Sequence, residues 1–352
     1  MSTGASAVPL TARYDVALLD LDGVVYVGSE AVPGAVAALE KAAEAGLRRA
    51  FVTNNASRSA EEVATLLRGL GVHTCAEEVV TSAQAAAHLL ADRLPAGALV
   101  LVVGSAALAE EVRVRELVVT GSADDRPVAV VQGYSPDVGW RQLAEATIAV
   151  RRGALWVATN IDATIPSPRG PLPGNGSLVG VVRSATGATP LVTGKPQPEL
   201  HQESVQRTGA RRPLIVGDRL DTDIEGATGA GVDSMLVLTG VTTAAALLAA
   251  GPRHRPTYLA ADLSGLLVPH PVATPDGEGW RCGGFVAVPH GGQLTLAGAG
   301  PDHVDALRAL CAAAWRPGAE PVRRVAPAGA AAAAVVARLG LAGPGPDEVH
   351  GR

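Results

Sequence analysis

The chain has 352 residues, enough for about two to three domains with a substantial core, and a formal charge of -5 that gives no basic footprint for nucleic acid. Hydrophobic residues make up 47% of it, yet no run reaches the ~20 uninterrupted apolar residues of a membrane span. Met1–Leu10 lacks the basic start and apolar block of a secretory signal, and three scattered cysteines (Cys75, Cys282, Cys311) without a Cys-x-x-Cys point away from disulfide scaffolds and zinc ribbons and toward a reducing cytoplasm.

The first predicted element is a strand, Val16–Leu19, whose continuous apolar run suits a parallel sheet covered on both faces. It ends in Asp20-Leu21-Asp22-Gly23, where alternate carboxylates can face one side. Two like charges that close require a cation or a shared proton. A helix is expected from Ala35 with Gly46 at its C-cap, then a strand ending in Thr53-Asn54-Asn55. Ser59 and Glu62 have capping-box spacing for a helix to about Leu70. Strands Ala98–Val103, Val128–Val131 and Leu155–Ala158 and helices Ala106–Arg113 and Gly139–Arg151 continue the alternation without acidic strand ends. A Pro/Gly-rich loop, Pro166–Gly176, interrupts it as a segment that could move or line a site.

The opening pattern returns at Gly194-Lys195-Pro196, before a helix from Glu199 to Thr208, and at Pro213–Asp218, followed by Asp221 and Asp223. Ser234–Leu238 is the next strand, and the core ends near Leu263–Val268. Beyond it, Phe285–Val288 and Gln293–Ala297 read as a hairpin, and Val304–Ala314 and Ala328–Leu339 as helices. The fold class is therefore α/β: a Rossmann-like parallel-sheet core (12–80 with 191–268), an inserted α/β domain (81–190) and a small α+β C-terminal appendage (272–352).

Four strand ends carry chemistry: Asp20 and Asp22, Thr53 and Asn54, Lys195, and Asp218 with Asp223. In a parallel sheet they belong to one edge. Carboxylates suit a hard cation such as Mg²⁺, and a hydroxyl, amides and an ammonium suit a phosphate. Alone, Thr-Asn-Asn and Gly-Lys-Pro read as turns; the ordered set is far more specific. The glycines of Gly174–Gly180 and Gly226–Gly231 miss dinucleotide-loop spacing and are explained by loop flexibility and close packing.

These motifs resemble the four motifs of the haloacid-dehalogenase-like phosphatases. They are most similar to the branch that includes phosphoglycolate and nitrophenyl-phosphate phosphatases, whose larger cap lies between the second and third motifs. Ala158–Asp162, Pro173–Ser177 and Ala185–Gly187 look like that branch too, and the extra C-terminal segment resembles actinobacterial glycerol-3-phosphate phosphatases. The resemblance implies that Asp20 is the nucleophile that forms an aspartyl-phosphate, and that Asp22 is the general acid and base. It implies Mg²⁺ held by Asp20, the backbone carbonyl of Asp22, and Asp218. Thr53, Asn54 and Asn55 would hold the phosphate and Lys195 would neutralise it. Asp223 would orient Lys195 or a coordinated water, and Asp221 would only open a helix. Asn160 and Asp162 are the cap positions expected to contact substrate. The tail faintly resembles part of an acetyltransferase domain but has no glycine-rich acyl-CoA loop, so a packing or dimer-forming role is expected.

The implied activity is Mg²⁺-dependent hydrolysis of a small phosphate monoester, with glycerol 3-phosphate leading. The resemblance and the 3% aromatic content, too low for a stacking pocket, both favour it. 2-Phosphoglycolate, pyridoxal phosphate and nucleotides stay open as substrates. Transfer to an alcohol is a second reading and a non-catalytic phosphometabolite sensor a third. The expected partner is the phosphorylated metabolite, with no nucleic acid or membrane, and a homodimer is the candidate assembly.

Overall fold

The computed structural model describes residues 3–165, 167 and 169–342. The expected loop Pro166–Gly176 lies outside the described residues at Pro166 and Pro168, as does the end of the expected appendage, 343–352.

In chain order, β1 (Val16–Leu19) is buried throughout. Helix α1 (Ala35–Glu44) is followed by Gly46, whose φ of +88° is left-handed backbone that glycine adopts without strain. Strand β2 (Arg48–Thr53) becomes buried toward its end. Helix α2 (Ala60–Gly69) opens on the expected box: Ser59 Oγ accepts from the Glu62 N–H (3.2 Å) and Glu62 Oε2 accepts from the Ser59 N–H (2.6 Å). Strand β3 (Val79–Thr81) enters α3 (Ser82–Arg93) through a second box, Thr81 with Gln84. There follow β4 (Leu99–Val103), α4 (Ala106–Val114), β5 (Val118–Thr120), β6 (Ala129–Gln132), α5 (Trp140–Arg151), β7 (Leu155–Ala158), α6 (Asn175–Thr186) and β8 (Leu191–Val192). Next are α7 (Pro198–Thr208), β9 (Pro213–Gly217), a π turn at Leu220–Ile224, α8 (Glu225–Ala230), β10 (Asp233–Val237), α9 (Ala244–Leu248) and β11 (Tyr258–Ala260). The C-terminal part holds β12 (Thr274–Asp276), β13 (Gly279–Cys282), β14 (Phe285–His290), β15 (Gln293–Gly298), α10 (His303–Ala314), β16 (Arg324–Ala328) and α11 (Ala330–Arg338).

The chain forms two compact units, Met1–Arg48 with Arg211–Arg352, and Arg49–Ala210. In the first, β1 pairs parallel with β9 (Val16↔Pro213 to Leu19↔Val216), β9 with β10, and β10 with β11. The ladder runs on past β1, since the Asp20 N–H donates to the Val216 carbonyl (2.8 Å). The C-terminal strands make a mixed sheet in the order β12-β13-β14-β15-β16, antiparallel except for the parallel pair β15–β16. The expected hairpin is β14–β15. The helix expected from Ala328 begins at Ala330, because Arg324–Ala328 pairs as an edge strand, where Pro327 is tolerated.

In the second unit β2 and β3 pair parallel, and a separate five-stranded parallel sheet has the order β8-β7-β6-β4-β5. Its strands read as unbroken apolar runs because both faces are covered. Val100, Ala129, Val131 and Val157 pack with α3 and α4 side chains such as Leu90 and Leu108, whereas Leu101, Val130, Trp156 and Ala158 pack with α5 and α6 side chains such as Leu143 and Val182. No helix among the described residues is long and apolar enough to cross a membrane.

Candidate active site

The predicted site residues fall into two groups, one in each unit. In the first unit the chain leaves β1 at Asp20 and turns sharply. The Val24, Val25 and Tyr26 N–H groups all donate to the Leu21 carbonyl, and the Gly23 N–H donates to that of Tyr26 (2.8 Å). Asp20 is half-buried at the strand end and Asp22 is exposed. Gly23 has φ +79°, and a Cβ there would lie 2.6 Å from both Cγ and Oδ2 of Asp218. The glycine of the Asp-x-Asp-Gly motif is thus required twice, for its backbone angle and for the approach of a second carboxylate.

Asp218 follows β9 and is buried at 1% exposure. Its Oδ2 accepts from the Val241 N–H (2.6 Å), and a Cβ on Gly240 would overlap that oxygen. Asp223, fully buried in the π turn, accepts from the Arg219 N–H (3.1 Å). Gly217 gives it room, since a Cβ there would run into the Asp223 side chain. Asp221 is exposed and carries a two-point ion pair with Arg219 (2.8 and 3.1 Å). Carboxylate oxygens of Asp20, Asp218 and Asp223 all lie within 4.8 Å of one another. Two of these three carboxylates are buried, and buried like charges at that spacing call for a counter-charge. The all-oxygen donor set and its glycine-walled cradle fit a hard divalent cation. The trio includes the Asp223 carboxylate, which the sequence reading set behind the metal ligands, and not that of Asp22, for which only a backbone carbonyl was expected.

In the second unit, Thr53 ends β2 with its side chain buried, and Thr53 Oγ1 accepts from the Asn55 N–H (3.1 Å). Asn55 is exposed, and its Oδ1 closes the turn by accepting from the N–H (2.7 Å) and Oγ (2.8 Å) of Ser57. Asn54 is a hub. Its Oδ1 accepts from the Lys195 N–H (2.8 Å), and its Nδ2 donates to the Lys195 carbonyl (3.2 Å) and to Asp162 (3.2 and 3.3 Å). Its carbonyl accepts from Asn160 Nδ2 (2.7 Å) and Ser82 Oγ (2.6 Å). Lys195 is buried at 3% exposure. The structure thus brings Asn54, Asn160, Asp162 and Lys195 together. Sequence reading missed Gly240, because its role is to leave space, and Asn175, discussed below.

The glycines read from sequence as packing devices behave so at Gly174 and Gly176, where a Cβ would overlap the carbonyls of Asp162 and Ile161. His201, on α7, is fully buried, and neither ring nitrogen has a hydrogen-bond partner among the described residues. Burial, reinforced by the Lys195 charge, lowers its pKa to about 3.

Residues 17–117 match the family described as haloacid dehalogenase-like hydrolase, and residues 192–266 a related hydrolase family. Residues 282–341 match a GCN5-related N-acetyltransferase-like domain, the same kind of domain the tail faintly resembles in sequence. The chain is 49% identical over 307 residues, 86% of each chain, to a D-glycerol 3-phosphate phosphatase of Mycobacterium tuberculosis. A crystal structure of a glycerol phosphate phosphatase from that organism in complex with magnesium superposes with a TM-score of 0.85 at 46% identity, covering 95% of this chain and 99% of that one. A p-nitrophenyl phosphatase from Archaeoglobus fulgidus gives a TM-score of 0.67 at 30% identity over 72% of this chain and 98% of its own. With the Asp-x-Asp-Gly turn, the carboxylate trio and the Asn54–Lys195 link built as described, these similarities define the lineage: the chain belongs to the haloacid dehalogenase-like hydrolases, in their nitrophenyl-phosphatase-like phosphatase branch.

Proposed function

We propose that the chain hydrolyses glycerol 3-phosphate to glycerol and phosphate with Mg²⁺ as cofactor. The observation that carries this reading is the 49% identity, over 86% of both chains, to a phosphatase named for that substrate. The carboxylate trio supports the cofactor, as does the magnesium complex of the similar structure. We assign 12–80 with 191–268 as the catalytic core and 81–190 as the cap.

In this reading the Asp20 carboxylate attacks phosphorus and the P–O bond to the alcohol breaks, leaving an aspartyl-phosphate. Asp22, exposed to solvent, protonates the departing alkoxide. It then takes a proton from the water that cleaves the acyl-phosphate, which regenerates Asp20 and releases phosphate. Asp20 and Asp218, with the Asp22 carbonyl, would hold the cation, and the Asp223 carboxylate stands close enough to join or orient them. When bound, Mg²⁺ offsets the repulsion between an anionic nucleophile and an anionic phosphate. The Thr53 hydroxyl, the Asn54–Asn55 turn and the Lys195 ammonium hold the phosphoryl oxygens, whose charge grows in the transition state. Asp162 bears on the alcohol end, and Asn160, bonded to the Asn54 carbonyl and the Asp162 N–H, supports it from behind.

A panel of glycerol 3-phosphate, 2-phosphoglycolate, pyridoxal phosphate and nucleoside monophosphates, assayed for phosphate release with Mg²⁺ and with chelator, tests the assignment. Glycerol 3-phosphate should have the highest kcat/KM, and chelator should abolish turnover. A tenfold preference for any other panel member would replace the substrate, and chelator-resistant turnover would remove the cofactor.

A further inference from the structure

Asn175, the first residue of α6, is buried at 1% exposure. Its Nδ2 donates to the carbonyl of Asn160 (2.7 Å) and to that of Gln132, the last residue of β6 (3.4 Å). From Asn160 the same kind of bond is repeated. Asn160 Nδ2 donates to the Asn54 carbonyl (2.7 Å) and Asn160 Oδ1 accepts from the Asp162 N–H (3.2 Å). Asn54 in turn brackets Lys195 through its N–H and carbonyl. Three carboxamides therefore lie in series between the end of β6 and the backbone of Lys195.

The surroundings leave this series little slack. A Cβ on Gly194 would come within 2.5 Å of the Thr159 carbonyl and 2.9 Å of Asn160 Cβ, and Gly176 is pressed against the Ile161 carbonyl. The location is also costly. Asn175 Oδ1, both amide atoms of Gln132 and Thr159 Oγ1 are buried with no hydrogen-bond partner among the described residues. Buried polar groups left unpaired destabilise a fold, and such violations of local rules gather at functional sites. The cluster sits at the carboxyl ends of β6 and β7, the edge of a parallel sheet where ligands bind.

We propose that Asn175 is a positioning residue for the phosphatase reaction: through Asn160 it fixes the Asn54 carboxamide, and thereby the Lys195 backbone and the Asp162 carboxylate. The proposal rests on the reading of Asn54 and Lys195 as phosphate-holding groups. Asn175 touches no reacting atom; it sets the register of the residues that do.

The test is a double-mutant cycle in the full chain on glycerol 3-phosphate at saturating Mg²⁺, with Asn54→Ala, Asn175→Ala and the pair. Groups acting through one another give non-additive effects. Each single variant should lower kcat by about tenfold or more through misplacement. The double variant should fall less than about threefold below Asn54→Ala alone. If alanine at 175 prevents folding, Asn175→Asp, which keeps the volume and removes the Nδ2 donor, takes its place in the cycle. A double variant whose loss is the product of the single losses, or a folded Asn175 variant with unchanged kcat, overturns the proposal. Unchanged activity in Asn54→Ala removes the phosphate-holding reading and the proposal with it.

Discussion

Asp218 is enclosed by backbone, with Gly23 on one side, Gly240 on another and the Val241 N–H on its Oδ2. A methyl group at Gly240 must push the carboxylate aside, so Gly240→Ala is expected to raise the Mg²⁺ concentration for half-maximal activity by about tenfold or more, consistent with the sensitivity of metal sites to supporting contacts. The thermal midpoint should also fall, since overpacking a buried site costs about 1–3 kcal/mol. A metal titration curve identical to that of the unaltered chain would show that the cradle does not set metal affinity. At this scale the sequence was readable where strand ends combine. Asp20-Leu-Asp-Gly alone reads equally well as an acidic surface turn, and it becomes a site only when Thr53, Lys195 and Asp218 arrive at later strand ends. Asp223 was readable as part of the same edge, but not its carboxylate as a third member beside those of Asp20 and Asp218, since the π turn that carries it inward has no sequence signature. Gly240 and Asn175 escaped because one works by leaving space and the other by a bond to a backbone carbonyl far along the chain.

The strands with both faces covered were legible from their unbroken apolar runs, and Ser59–Glu62 fixed the start of α2. The three-residue strands Val79–Thr81 and Val118–Thr120 are too short to leave a period and depend on their sheet neighbours. Helix α7 hides His201, which makes acid stability an element-scale property. Its folded pKa of about 3 lies below the unfolded value of about 6.5. The unfolded chain therefore takes up a proton that the folded chain refuses as pH falls below about 6.5. Stability is lost from there toward pH 3, at a slope of up to about 1.4 kcal/mol per pH unit. His201→Phe removes this linkage. Its melting temperature should decline less between pH 7 and pH 5 than that of the unaltered chain, and parallel declines would contradict the assignment.

Within the first unit, the C-terminal segment is continuous with the sheet that bears Asp20 and Asp218. Leu236, Leu247 and Leu259 share one hydrophobic cluster with Phe285, Leu296, Leu307, Leu310 and Trp315. Buried Arg308 on α10 adds a bond to the Leu259 carbonyl (2.6 Å) and one to Asp305 (2.6 Å). Cys311 in that cluster is held protonated by burial, well above the ordinary thiol range. Leu310→Ala should therefore cost about 2–5 kcal/mol of unfolding free energy, and a chain ending after Val268 should aggregate on expression; a truncated chain that folds and melts cooperatively would contradict this. The sequence marked the segment as different but not as joined, because the leucines and alanines of Val304–Ala314 do not say which sheet they face. Whether the whole chain is a phosphatase acting through an aspartyl nucleophile is tested most directly by phosphate release from glycerol 3-phosphate by Asp20→Asn at saturating Mg²⁺, with circular dichroism as the control for folding. The variant should fold and its turnover should drop by at least about a thousandfold; a folded Asp20→Asn variant within about tenfold of the unaltered rate would rule out Asp20 as the nucleophile.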